Sequence, residues 1–373
     1  MLDKIKLISL GDIMLAESRG TGMTINRFGP EYLFMQVADT LKKADILFGN
    51  LENPISSNGS PCTKQHEHIT FRANPISVQG LKYCGFDLVS IANNHMNDFG
   101  KEAFLDTLSI LKANGIKYVG GGLSVSEAER PVTFHRNGLS ISFLAYSFFL
   151  NWSSKLAFRN NYGISKFHFQ KCRRIIGELK KETNFVVISV HWGLDFTYYP
   201  VPFQREYAKR LIDVGADLIL GHHPHYFQGI EKYKSGYIVY SLGDFIFDEI
   251  GRETFILECD ISRSGIETLN IHPAEIVDNY QTRIITGEKG QNIRGKIMCL
   301  GRLYGSTPPN ISTKMTDNFI HMNYKIILTS GNLHILYNLF YKSVILKALF
   351  YPIKKLIKRI FGITQSWLIR WDI

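Results

Sequence analysis

The sequence predicts an α/β fold of two β-sheets with helices outside them. Two observations carry that expectation. Through the first half, short apolar runs bounded by turn residues alternate with amphipathic helical patterns, the signature of βαβ units. Later the pattern changes to short strands joined by hairpin-type turns. Two sheets with helices outside them accommodate both halves.

The strands expected in the first half are Ile5–Leu10, Asp45–Phe48, Leu88–Ile91, Tyr118–Gly120, Phe185–Val190 and Leu218–Leu220. Between them, Glu31–Lys43, Glu102–Asn114, Gln170–Lys181 and Phe203–Val214 carry apolar residues at spacings of three and four, as one buried helix face requires. Gly115 and Gly215 follow two of these helices, where a left-handed glycine ends a helix at least cost. Val132–Phe134 and Ser140–Phe143 flank Asn137-Gly138, a strong hairpin signal. From Gly229 to about Ile276 short strands follow one another, with turns at Ser235-Gly236 and Ser264-Gly265. Residues 277–323 are polar, rich in Gly and Thr, and show no clear periodicity, which predicts an irregular linker or cover.

Composition excludes several classes. Of 373 residues, 45% are apolar and only 20% charged, which rules out general disorder. The formal charge of +10 favours an anionic partner, but the charge is uneven. From His321 onward eight Lys and Arg face Asp372 alone, leaving 35 basic against 32 acidic residues in the first 320. The five cysteines, Cys62, Cys84, Cys172, Cys259 and Cys299, form no CxxC pair and suggest neither a disulfide framework nor a zinc knuckle, so a reducing compartment fits best. Gly11-Asp12 interrupts the N-terminal apolar run too early for a signal peptide, and that run reads as a first strand.

Polar clusters follow five of the strands: Gly11-Asp12, Gly49-Asn50-Leu51-Glu52, Ala92-Asn93-Asn94-His95-Met96-Asn97-Asp98, His191-Trp192-Gly193 and Gly221-His222-His223-Pro224-His225. Ligands of open α/β sheets bind beyond the carboxyl ends of the strands, so five such clusters point to one site. Carboxylates, an amide oxygen and imidazoles make a mixed N/O shell suited to Mn, Fe or Zn. His223 and His225 alternate along an extended segment, which would place both rings on one side, stiffened by the proline between them. A lone histidine at a strand end is more often a surface or satisfied core residue, which is the reading for His222, His66 and His68. Asn93-Asn94-His95 also fits an Asx turn capping the helix that begins near Gly100.

Taken in order, Gly11-Asp12-Ile13-Met14-Leu15, Gly49–Glu52, Ala92–Gly100, His191-Trp192-Gly193, Gly215–His225 and Tyr240–Phe247 closely resemble the CapA family of bacterial capsule-synthesis proteins. That family is associated with poly-gamma-glutamate capsule and belongs to the calcineurin-like metallophosphoesterase superfamily. The resemblance runs from Lys4 to about Ile276 and implies two mixed β-sheets packed as a four-layer αββα sandwich with flanking helices, and a dinuclear metal site at the strand ends. By that resemblance Asp12 and His225 bind the first metal, and Asn94, His191 and His223 the second. Glu52 or Asn50 occupies the bridging region, with Glu52 favoured because an anionic oxygen offsets two cations better. His95 is the implied proton donor and Asp98 its orienting partner. Two metals about 3.5–4 Å apart activate water for in-line displacement, so no protein nucleophile is required.

Departures from the superfamily pattern bear on this. Met14 stands where the superfamily has a histidine, so the first of the two divalent ions loses an imidazole and is held less firmly. Asn50 replaces the bridging aspartate, Asp244 stands in place of an asparagine, and Asp195 in place of a glutamate. Arg72, within Phe71–Pro75, is either a fork for a phosphate or carboxylate of the substrate or an ordinary surface arginine.

The expected organisation is a CapA-like domain over 1–276, the linker or cover over 277–323 and a basic amphipathic helical tail over 324–373. The longest uncharged run of the tail, Ile326–Tyr341, is too short to span a bilayer, whereas an interfacial helix anchored by Trp367 and Trp371 fits. The expected location is either cytoplasmic or peripheral to a membrane through the tail, the rival reading of the tail being a helix packed on the main domain or on a partner. The N-terminal membrane anchor usual in the family does not carry over. The expected function is capsule or exopolymer biosynthesis through a metal-dependent phosphoesterase or hydrolase site. The alternatives are a non-catalytic polymer-binding or assembly component and a generic cytosolic phosphodiesterase. Expected partners are an anionic polymer or phosphoester substrate and the capsule-synthesis machinery. Nucleic acid is not among them, because apolar residues outnumber cations in the tail.

Overall fold

A computed structural model of the chain describes residues 4–305, and the basic tail lies outside the described residues. The first large sheet runs Thr282–Ile284, Gly265–Ile276, Glu253–Ser262, Ile5–Ile13, Ile46–Leu51, Leu88–Ser90, Lys117–Val119, with Asp244–Ile246 pairing the end of Ile5–Ile13. The second runs Ile230–Tyr233, Gly236–Val239, Leu218–His222, Phe185–His191, Leu139–Ser147, Val132–Arg136. Both are mixed. Ile5–Ile13 through Lys117–Val119 are parallel, as are Leu139–Ser147, Phe185–His191, Leu218–His222 and Gly236–Val239, while hairpins supply the antiparallel members.

Strand alternation builds the layers. Ile5, Leu7, Ile46, Phe48 and Leu88 of the first sheet share one core with Phe143, Phe185, Val187, Leu218 and Leu220 of the second. Phe48 stacks on Phe143 across the gap, centroids 5.6 Å apart. The intervening positions point outward. Ile8, Leu10, Leu47 and Val89 pack with Phe34, Leu81, Phe104 and Leu108, and Val186, Ile188 and Ile219 pack with Cys172, Ile176, Ala208 and Leu211 of the helices Phe169–Leu179 and Pro202–Asp213. The result is the expected αββα stack. Each large side chain buried in it contributes about 1.5–3 kcal/mol.

Turn chemistry agrees with the sequence at several points. Asn137 (φ 48°) and Gly138 (φ 70°) form the predicted left-handed two-residue hairpin turn. The later turns fall one residue earlier than expected, at Lys234-Ser235 and Arg263-Ser264.

Two expectations give way. Glu31–Lys43 is not one helix but a 3-10 turn, Tyr32–Phe34, and a short helix, Ala38–Leu41. Val37 between them leaves helical geometry at φ −121° while keeping its own side chain buried. Residues 277–323 are not irregular where described: a strand, Thr282–Ile284, joins the first sheet and a helix spans Gly287–Gly305. Glycines at 287, 290, 295 and 301 blurred its pattern, yet Ile293 and Ile297 are fully buried in the inter-sheet core. A Cβ at Gly301 would meet the Ile230 carbonyl oxygen at 2.1 Å, so the helix lies against the Ile230–Tyr233 strand too closely for any larger residue.

Candidate metal centre

Strand register assembles the centre. In the first sheet Asp12 pairs with Asp244 on one side and Asn50 on the other, and Asn50 in turn with Ser90. In the second sheet His191 is the register partner of both His222 and Ser147. Apart from Asp244, which opens its strand, both rows stand at the carboxyl ends of parallel strands, the position predicted for ligand binding.

Asp12 is at the middle. Fully buried, it accepts hydrogen bonds from the Asn50 amide at Oδ1 (2.8 Å) and from the His223 backbone N–H at Oδ2 (3.1 Å), and His222 Nδ1 lies 3.2 Å from Oδ1. Burial opposes its charge, but the His222 ring and the His191 and His225 imidazoles outweigh burial and hold the carboxyl well below its usual range. His222 is thus drawn into the centre, contrary to the reading of it as an ordinary core residue. His66 and His68 are exposed.

Around Asp12 stand two groups of donors. Donor atoms of Asp12, His225 and Asp244 lie within 4.8 Å of one another, as do those of Asp12, Glu52 and His191. His225 Nδ1 and Asp244 Oδ1 are 2.7 Å apart. Burial favours the neutral His225 ring, but the Asp244 carboxylate prevails and lifts the imidazole to about 9. Burial also raises Asp244, and it raises Glu52 further, with the charges of Asp12 and Asp244 adding to the effect. His191 and His223 go the other way: burial holds both neutral, His223 at about 4. Neutral imidazoles are what metal ligation requires.

Asn94 Oδ1 accepts from His191 Nε2 at 2.6 Å, leaving His191 Nδ1 buried without a hydrogen-bond partner. Glu52 Oε1 and both ring nitrogens of His223 share that condition, although His223 Nε2 lies 3.0 Å from Asp195 Oδ1. His223 and His225 are not presented by strand alternation, as expected from the sequence. The strand ends at His222, and His223 (φ 96°) and His225 (φ 60°) both occupy left-handed backbone. Such conformations cost about 1–3 kcal/mol each and persist only where surrounding contacts dictate them. Here those contacts are Asp12 on the His223 N–H, Phe196 N–H on the Pro224 carbonyl and Asp244 N–H on the His225 carbonyl.

His95 Nδ1 lies 2.8 Å from Asp98 Oδ2. Asp98 is fully buried and also accepts from the Phe71 N–H, Gln65 and Ser153, so its position is fixed from four directions. Asn93 rather than Asn94 makes the Asx-type bond to the His95 N–H, and its amide donates to Asn50 and the Leu51 carbonyl. The Asx turn and the site therefore coexist, built by neighbouring asparagines.

Arg72 is half-buried, reaches the Asn58 carbonyl and Glu17 and lies over the Phe99 ring, contacts outside the Asp12 cluster. Asp244, which the sequence marks only as a departure from an asparagine, is the residue paired in register with Asp12. Its signal in the sequence is the charge itself, standing where the superfamily has an amide. Met14 is fully buried with Ala16 and Phe71, its sulfur accepting from the Ala16 N–H, and it supplies nothing to the centre.

The donor chemistry fits divalent metal: carboxylates shared around Asp12, neutral imidazoles and buried polar atoms with no partner among the described residues. No helix among the described residues is long and apolar enough to cross a membrane.

The family model for "Bacterial capsule synthesis protein PGA_cap" matches residues 6–249, a span that holds every residue of the centre. The capsule biosynthesis protein CapA of Bacillus anthracis is 30% identical over 282 residues, covering 74% of this chain and 68% of that protein. The PGA biosynthesis protein CapA of Bacillus subtilis (strain 168) is 30% identical over 278 residues, covering 74% and 72%. Among solved structures, a putative 5′-nucleotidase from Staphylococcus aureus aligns with a TM-score of 0.45 at 12% identity, over 79% of this chain and 58% of that one. On the strength of the match over residues 6–249, which takes in the second sheet, the parallel strands of the first and the whole Asp12 cluster, this chain belongs to the bacterial capsule synthesis protein PGA_cap family.

Proposed function

We propose that the protein is an accessory component of poly-glutamate-type capsule synthesis whose centre holds two divalent ions and hydrolyses a phosphoester or a bond of the polymer. The observation that carries this reading is the set of buried donor atoms without partners, Glu52 Oε1, His191 Nδ1 and the His223 ring, facing one carboxylate, Asp12, which belongs to both donor groups. In this reading Asp12, His225 and Asp244 hold one ion, and Asp12, Glu52, His191, Asn94 and His223 the other. Asp12 belongs to both groups, where the sequence favours Glu52, and the Asp244 carboxylate would supply a donor that Met14 does not. When bound, such a pair polarises the oxygen under attack and lowers the pKa of the attacking water.

The remaining chemistry belongs to the chain. Asp98 Oδ2 accepts the His95 Nδ1–H, so a proton for a leaving group must sit on Nε2. The carboxylate facing the ring offsets the charge of the imidazolium that carries it. Phe71, its centroid 4.5 Å from that of His95, shields the ring on one side.

A second reading, a polymer-binding component without turnover, draws on Asn50. Its Nδ2 donates to Asp12 Oδ1 and so occupies a lone pair that a bridging ion would use. Turnover separates the two. Manganese-loaded protein is incubated with an aryl phosphodiester and with poly-gamma-glutamate; hydrolysis of either that is lost in His95→Ala supports the enzyme. Binding of the polymer with no hydrolysis of either favours the second reading.

A further inference from the structure

Between Arg130 and Gly177 the chain carries eight Lys and Arg and no Asp or Glu, within a body otherwise close to charge balance. The middle of this stretch, residues 148–162, is tied to the centre at one end and exposed at the other. Phe149 stacks on His223 with centroids 3.9 Å apart. Ser153 donates to Asp98, the partner of His95, and the Lys155 N–H donates to Asn97 Oδ1 at 3.0 Å. Beyond that anchor the chain makes a tight loop, with Phe158 bridged antiparallel to Asn161 and Leu156 bridged parallel to Ile164. At its tip Arg159 sits at φ 49°, left-handed backbone that a non-glycine residue adopts at a cost, and its carbonyl accepts from the Val125 N–H at 2.9 Å.

Two exposed rings and two exposed cations mark this segment, Trp152 and Phe158 with Lys155 and Arg159, beside the exposed Asn160 and Asn161. Trp152 is 53% and Phe158 62% accessible, two of only four exposed aromatic rings among the described residues, the others being Phe28 and Tyr83. Arg159 lies over the Phe158 ring at 5.3 Å, and neither Lys155 nor Arg159 has a carboxylate partner among the described residues. Lysine and arginine heads standing beside exposed rings bind flexible polyanions, because the cations take the charges and the rings cover the apolar backbone between them.

We propose that residues 148–162 are the docking strip for an anionic polymer bearing pendant carboxylates, leading the chain from the Phe158-Arg159 tip past Trp152 to the His223 face of the centre. This rests on the capsule-polymer reading and adds the place and direction of entry. An ordinary solvated basic face would not explain why the same segment supplies a ring against His223 and a hydroxyl to Asp98.

The test is fluorescence anisotropy with fluorescein-labelled poly-gamma-glutamate, full-length protein, at low and moderate salt, with neutral dextran as control. Expected are binding of the polymer that weakens as salt rises and a loss of about tenfold or more in the Lys155→Glu/Arg159→Glu double variant. Lys155→Arg with Arg159→Lys should retain binding, and an unchanged thermal melt shows that the variants fold. If wild type binds and the charge reversals bind equally well, the strip is overturned while the polymer reading stands. If wild type does not bind the polymer, the polymer reading falls and the strip falls with it.

Discussion

Asp12 and Asp244 are direct register partners on neighbouring parallel strands, and a nitrogen of His225 lies within 4.8 Å of an oxygen of each. Two buried carboxylates held side by side repel unless a cation lies between or beside them. His225 and, at 3.5 Å from Asp244 Oδ2, the Arg252 Nε supply part of that compensation. Asp244→Asn keeps an acceptor for the His225 ring and removes only the charge. Manganese affinity, read by titration calorimetry, is expected to fall by about 10–100-fold. An affinity equal to wild type would show that Asp244 serves only the fold.

The His95–Asp98 pair makes a separate prediction. Asp98→Asn leaves the side chain's shape but removes the charge that faces the imidazole and offers an N–H where Nδ1–H must be accepted. Turnover should drop by about 10²–10⁴ with metal content unchanged, because neither residue belongs to the donor groups around Asp12. Loss of metal in this variant would show that the pair supports the centre rather than the proton transfer.

The helix Gly287–Gly305 is predicted to be integral to the domain. Ile293→Ala opens a cavity in the core that both sheets share and should cost about 2–4 kcal/mol in denaturant unfolding. A loss below about 0.5 kcal/mol, the range of surface substitutions, would mean that the helix is a loosely applied cover.

Acid sensitivity should trace in part to Lys6. Its Nζ reaches Glu258 and Asp260, and His272 also contacts Glu258. Burial alone would raise Glu258, but Lys6 and His272 outweigh it, while the Thr268 hydroxyl and then Lys6 lower Asp260. Carboxyls lowered in the folded state stabilise it above their unfolded values, about pH 4, and that stability is lost as pH falls through the lower folded values. Thermal melts from pH 6 downward should therefore fall less steeply for Lys6→Met than for wild type. The difference should be no more than about 1 kcal/mol, because the group is partly exposed. Parallel curves would refute the assignment.

What could be read from the sequence followed from physical periodicity and strand-end chemistry. Short apolar runs bounded by turn residues mark strands such as Ile5–Ile13 and Phe185–His191, and the same strands carry Asp12 and His191 at their ends, so fold and site were legible together. Legibility failed where tertiary contacts override local pattern. The helix at Gly287–Gly305 is masked by glycines that close backbone approach to Ile230 demands. The left-handed turn of His223 and His225 is imposed by hydrogen bonds to Asp12, Phe196 and Asp244, which lie far away in sequence. Asp244 and His222 join the centre through register between strands, and no local motif encodes register.

The central claim is that buried donors around Asp12 hold divalent metal. Elemental analysis of protein reconstituted with manganese and freed of excess by gel filtration measures this directly. The account predicts roughly two ions per chain in wild type and about one or none in His191→Ala and in His223→Ala, with each variant still folded. Wild-type protein that retains no metal, and histidine variants indistinguishable from it, would contradict the account.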